Sequence, residues 1–146
     1  MKIVSDALAA IAVSMDLDYI RSMNETEADV FIHNLKEATA KAGIIVYNGM
    51  SDINTTFDGA MIYDEFDVQI FVVVKQPEVE LSGDETDVQL QITKLFTNQI
   101  YSELNKITAK DIEAYSSVAV RMFTDIYIGH DVTMTIPFFN EGCTTP

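Results

Sequence analysis

Two histidines and one cysteine are the residues best suited to proton transfer or nucleophilic attack: His33, His130 and Cys143. Asp131 follows His130, and a carboxylate beside an imidazole can orient the ring as a general base. No serine or cysteine stands in a recognisable nucleophile motif, so such a base would have nothing to activate. We therefore expect a structural role for His33, a tight turn at His130–Asp131, and no catalytic residue.

Carboxylates are the other candidate ligands, because hard cations prefer oxygen donors. Three groups of them are candidates for a cation site: Asp16 with Asp18, then Asp64, Glu65 and Asp67, and finally the acidic stretch 83–87. None of the groups has the Asp-x-Asp-x-Asp-Gly spacing and distal Glu of a calcium loop. One cysteine excludes an internal disulfide and a Cys-rich zinc site. The glycine-rich phosphate motifs are also missing. The sequence predicts no metal, no cofactor and no enzymatic activity.

The composition narrows the possible partners. The chain has 146 residues, with 9 Lys and Arg against 23 Asp and Glu, a net charge of -14. Such a surface disfavours stable binding to nucleic acid or to an anionic membrane. The apolar N-terminal run is interrupted by Asp6, and no stretch approaches the roughly 20 apolar residues that cross a bilayer. We expect a soluble, intracellular protein of one domain.

Helical periodicity appears in three segments. Ser5 is predicted to cap a first helix over 5–15, and Asn24 a second over about 25–42. The third runs from about Asp87 to Lys106 and is expected to lie on a sheet through apolar residues at spacings of three and four. These are Val88, Ile92, Leu95, Phe96, Ile100, Leu104 and Ile107.

Strand signals occupy the rest of the chain. They predict a short strand at 44–47, a long strand over 60–75, and a hairpin over 118–138 with Gly129–His130 as its two-residue turn. Segment 50–57 is ambiguous. Pro137 cannot donate to a ladder, which predicts that the last strand lies at an edge or ends there. The predicted fold is α+β, in the order α-α-β-β-α-β-β, with helices packed on a mostly antiparallel sheet.

The last strand also carries the strongest apolar signal. Phe138 and Phe139 are adjacent, so in an extended strand they face opposite ways, and both are hidden only if each side is covered. One interpretation is a core that is locally two-sided. The other is burial by a neighbouring subunit, which predicts an interface at Ile136, Phe138 and Phe139.

The order of elements is similar to that of a known family. A helix, a short strand (44–47), the long strand 63–74, an amphipathic helix (87–106) and a closing hairpin (125–136) resemble the tail-terminator or tail-completion proteins and minor tail proteins of bacteriophages and prophages. The resemblance covers residues 24–139. It divides the chain into an N-terminal helical extension (1–23), this core, and a short tail (140–146).

The resemblance implies a structural role. Such proteins assemble as a ring, commonly a hexamer, at the head–tail joint, where they stop polymerisation of the tail tube and contact the head connector. They occupy the host cytoplasm and then the virion tail, and an acidic lumen lets DNA pass. An alternative is a type III secretion chaperone, which is also small, acidic, α+β and dimeric. That family usually closes with a helix, whereas this chain closes with a strand.

Overall fold

A computed structural model describes residues 2–22, 43–48, 52–59, 61–75, 83–122 and 127–139. Two helices and six strands lie within these residues. In chain order they are α1 (Lys2–Ser14), β1 (Asp18–Ser22), β2 (Ile44–Asn48), β3 (Asp52–Asp58), β4 (Met61–Lys75), α2 (Gly83–Asn105), β5 (Glu113–Met122) and β6 (Tyr127–Phe139). The predicted helix over 25–42, which contains His33, falls outside the described residues, as does Cys143.

One mixed sheet organises the strands in the order β1-β2-β4-β6-β5. β6 pairs with β4 along 63–75, while β2 and β3 share the other side of β4, pairing with 70–73 and 61–67 respectively. Only β1 and β2 run parallel among the described pairs. The predicted α+β class with a mostly antiparallel sheet is confirmed.

Strand β4 has the two faces that its alternation predicts. Phe66, Val68, Ile70 and Val72 enter the main core, together with β6 and both helices. On the opposite face, Asp67 is exposed and Gln69 is half-buried, whereas Phe71 and Val73 are buried in a second cluster. The strand therefore runs from a partly solvated sheet end to a centre that is buried on both faces.

The N-terminal residues belong to the main core. Val4, Leu8, Ile11 and Leu17 are buried there, and strand β1, which the sequence analysis did not predict, adds an edge to the sheet. The prediction that Ser5 caps α1 is wrong, because the helix already begins at Lys2. Ser5 is instead buried inside the helix, with its hydroxyl 2.6 Å from the Tyr19 hydroxyl of β1.

Helix α2 packs on the sheet through a face that only partly matches the predicted one, because Ile100 and Leu104 are the predicted residues that it buries. Its buried residues are Thr93, Thr97, Ile100 and Leu104, while Val88, Ile92 and Leu95 are exposed. The threonines tolerate burial because their hydroxyls are satisfied: Thr93 donates to the Leu90 carbonyl at 3.0 Å, and Thr97 to the Thr93 carbonyl at 2.8 Å.

The closing hairpin is present, but its turn is not at Gly129–His130. Met122 pairs with Tyr127, so the connection spans residues 123–126, and Gly129 and His130 lie inside β6. A Cβ on Gly129 would collide with the Val72 carbonyl oxygen and lie 2.7 Å from Val73 Cα. Glycine is therefore required by the approach of the neighbouring strand rather than by a turn.

Strand β6 is internal, since β4 and β5 flank it. Its pairing with β5 extends only to Thr135, so Pro137 lies beyond the end of β5, where its missing N–H costs no ladder bond on that side. The Pro137 carbonyl accepts a hydrogen bond from the Ala109 amide at 2.8 Å. The strand as a whole is thus not an edge strand, although its last residues form a local edge.

Candidate interaction surfaces

His130 and Asp131 do not form a catalytic pair, because neighbours in a strand point to opposite faces. The carboxylate of Asp131 accepts two hydrogen bonds from Gln69 Nε2, at 2.9 and 3.0 Å. The His130 ring lies under α2, with Nδ1 2.9 Å from Thr93 Oγ1. Within the described ranges, no group of three or more His, Cys, Asp or Glu residues is arranged to hold a metal ion.

Burial explains the electrostatics of His130. Desolvation lowers the pKa of the ring, and the positive charge of Lys94 on α2 lowers it further. The neutral imidazole is consequently the favoured form at neutral pH. The ring provides a hydrogen-bonding partner for the buried Thr93 hydroxyl, and through this contact His130 supports the packing of α2 on the sheet.

The three residues predicted as a subunit interface have different environments. Ile136 is fully buried in the main core, and Phe138 is buried beside it with its ring centroid 5.9 Å from that of Phe66. Phe139 lies on the other face of the sheet and is 41% exposed. Of the three, Phe139 alone has an exposed side chain.

Phe139 ends a row of paired residues that crosses one end of the sheet. Thr56 of β3 pairs with Tyr63 of β4, which pairs with Phe139. The Lys110 ammonium lies 4.7 Å from the centre of the Tyr63 ring and 3.5 Å from Glu65 Oε1. We call Thr56, Tyr63 and Phe139 the Phe139 row. It combines an exposed aromatic ring with a buried tyrosine and a nearby cation.

A second apolar surface occupies the opposite face at the same end of the sheet. Ile53 and Phe57 of β3, here called the hairpin face, point to the side on which the helices pack. Phe57 is 71% exposed, and Ile53 is also exposed. The sequence analysis missed both residues because segment 50–57 is polar overall. The alternation of Ile53, Thr55 and Phe57 before the Asp58-Gly59 turn is the signal that identifies this strand.

A third apolar surface is the helix stripe, formed by Val88, Ile92 and Leu95 on the outer side of α2. These residues were predicted to pack on the sheet and are instead exposed. Their spacing of four and three residues aligns them along one face of the helix. The apolar periodicity of α2 thus belongs to two faces, one of which covers the sheet.

Comparisons with models of protein families and with curated protein sequences give no match. No helix among the described residues is long and apolar enough to span a membrane.

Proposed function

We propose that the chain is a structural protein of a phage or prophage tail, which terminates or completes the tail tube by assembling as a ring at the head–tail joint. The observation that carries this proposal is the pair of apolar surfaces at one end of the sheet. Phe139 is exposed on one face and Phe57 on the other.

Two different surfaces on opposite faces suit a head-to-tail contact. In this contact the hairpin face of one subunit packs on the Phe139 row of the next. Each subunit then contacts one neighbour through its hairpin face and the other neighbour through its Phe139 row. Such a contact is heterologous, and repeating it through a closing rotation generates a ring. The order of elements and the residue pattern of the strands resemble those of tail terminators, and this resemblance supports the same assembly.

The negative net charge of the chain is compatible with a ring through which DNA passes. A net charge of -14 repels phosphate groups, so a ring built from these subunits would surround DNA without binding it. The partners in this proposal are further copies of the chain, the tail tube and the head connector. No nucleic-acid contact, membrane or enzymatic step is required.

The ring contact is tested with two single variants, Phe57→Asp and Phe139→Asp. Both positions are exposed, so each variant should fold with an unchanged melting temperature, and each should remain unassembled at concentrations where the native chain forms rings. Native mass spectrometry and light scattering measure the assembly. Val118→Asp is a matched control at another exposed apolar residue, on β5, and should assemble normally.

Mixing the two variants identifies the type of contact. Each variant retains the surface that the other lacks, so an equal mixture should form a heterodimer with one intact contact and stop there. Assembly that survives both substitutions, or a mixture that stays monomeric, contradicts the proposed contact. For the tail role itself, rings of about six that cap tube protein encoded by a neighbouring gene are the expected result. A chain that instead forms a complex with an effector segment supports the chaperone alternative.

A further inference from the structure

The second cluster lies on the face of the sheet that is opposite to both described helices. Among the described residues, its members all belong to strands: Ile20, Ile44, Val46, Phe71, Val73 and Tyr127, with Val120 partly buried against them. Helices α1 and α2 bury their apolar residues in the main core, on the other face. Side chains on one face of a sheet leave water only when a second layer packs on them. This cluster therefore needs a covering layer that the described helices do not supply.

The connection between β1 and β2 has the length and the end points that such a layer requires. The two strands are adjacent and parallel, with Asp18 paired to Ile44 and Ser22 paired to Asn48. The chain that leaves β1 must therefore return to the opposite end of the pair before it enters β2, and residues 23–42 are available for this return. Parallel neighbours need a crossover of a dozen or more residues, which runs over one face of the sheet.

The handedness of crossovers indicates which face this connection covers. Crossovers between parallel strands of one sheet are right-handed in about 98% of cases. The connection from β4 through α2 to β5 is of the same kind, because β4 and β5 are both antiparallel to β6. Both connections advance in the same direction along the order β1-β2-β4-β6-β5, but β1 and β2 run antiparallel to β4. Reversal of the strand direction places a right-handed crossover on the opposite face. Since α2 covers the main core, a right-handed connection between β1 and β2 lies over the second cluster.

We propose that segment 23–42 occupies this face and packs on the second cluster, so that the sheet lies between two covering layers. The segment has an apolar pattern that suits this contact. Residues at spacings of four, three and four share one side of a helix, and here they are Phe31, Leu35, Ala38 and Ala42. Charged residues fall on the opposite side of the same helix: Asp29, Lys36 and Glu37.

This packing goes beyond the proposed ring contact and uses different residues. The second cluster lies where β4 pairs with β2, whereas the Phe139 row lies near the other end of β4. Phe139→Asp should therefore leave the packing of segment 23–42 unchanged. Either proposal can fail without the other.

Disulfide trapping tests which face the segment covers. Val46 and Ile45 are adjacent, fully buried residues of β2, and they point into the second cluster and the main core respectively. In a chain that carries Cys143→Ser, either Val46→Cys or Ile45→Cys is combined with a cysteine in the segment. The second cysteine is introduced as Phe31→Cys, Leu35→Cys or Ala38→Cys. At least one pair with Val46→Cys should close within one chain under mild oxidation, because a disulfide needs Cα atoms within roughly 7 Å.

The pairs with Ile45→Cys are the matched control and should stay open, since the sheet separates the two cysteines. Non-reducing electrophoresis measures closure. Closure with Ile45→Cys overturns the proposal, as does failure of every Val46→Cys pair in chains that unfold cooperatively. A link between two chains would show that a second copy covers the face, and it also overturns the proposal.

Thiol reactivity tests the same packing without demanding an exact disulfide geometry. The single variants Val46→Cys and Ile45→Cys, each with Cys143→Ser, should both react slowly with a thiol reagent because both positions are buried. Leu35→Asp introduces a carboxylate into the proposed contact. It should accelerate the reaction of Val46→Cys at least about tenfold, and that of Ile45→Cys by less than about twofold. Equal acceleration at both positions, or none at Val46→Cys, contradicts the proposal.

Discussion

Gly129 provides a quantitative test of the sheet geometry. It lies in β6 opposite Val73 of β4, and a Cβ at this position would lie 2.7 Å from Val73 Cα and 2.9 Å from the Val72 carbonyl carbon. These atoms belong to the backbone of a central strand, so they cannot move aside without disturbing the ladder. Overpacking costs about 1–3 kcal/mol, and we expect Gly129→Ala to reach the upper end, about 3 kcal/mol.

Two other glycines serve as matched controls. Gly59 has a φ of 61° with nothing within 4 Å of its Cβ position, so Gly59→Ala should cost only the left-handed strain of about 1–2 kcal/mol. Gly83 begins α2, also in open space and without a positive φ. Gly83→Ala should stabilise the fold by up to about 1 kcal/mol, because alanine reduces the entropy of the unfolded chain.

Thermal unfolding followed by circular dichroism measures all three variants. For a chain of this size the melting temperature changes by about 2–4 °C per kcal/mol, so Gly129→Ala should melt about 6–12 °C below the native chain. Gly59→Ala should fall between the native chain and Gly129→Ala. If Gly129→Ala is milder than Gly59→Ala, the close approach of β4 is refuted, and the two-residue turn that the sequence suggested becomes the better explanation.

Two further predictions concern buried polar groups. Because burial and then Lys94 hold the pKa of His130 below 6.5, the stability contributed by its neutral ring is present above that pH and is lost as the pH falls. The melting temperature of the native chain should therefore fall relative to that of His130→Gln between about pH 8 and pH 5, and parallel curves would contradict this. Tyr19→Phe leaves the buried Ser5 hydroxyl without its partner and should cost about 1–2 kcal/mol in urea unfolding. Adding Ser5→Ala should recover part of that loss, and a purely additive double variant would refute the pairing.

Strand β4 was predictable because local patterning and tertiary structure agree there, whereas its pairing with β6 was seen only in the structure. Alternation over fifteen residues, with a clear change from polar to apolar on one face, leaves little choice of register. The buried Ile100 and Leu104 of α2 were predictable for a similar reason, since long aliphatic side chains at helical spacing are the usual contacts between a helix and a sheet.

The burial of Thr93 and Thr97 on the same face of α2 was not predictable from hydrophobicity. Thr93 and Thr97 rank below Val88 and Leu95 as apolar residues, yet they are buried because backbone carbonyls and His130 satisfy their hydroxyls. The exposed apolar surfaces therefore differ from those that the sequence predicted. Phe139 was found from the sequence, whereas the hairpin face and the helix stripe emerged only when the packing showed which apolar residues stay exposed.

The sequence by itself determined the class of fold, the acidic surface and the long central strand, because composition and periodicity are local properties of the chain. Tertiary structure decided where Gly129 lies, which side of α2 is covered, and that β1 joins the sheet beside β2. Each of these depends on contacts between residues distant in the chain. Such contacts are selected by the joint packing of whole elements, which no single segment encodes.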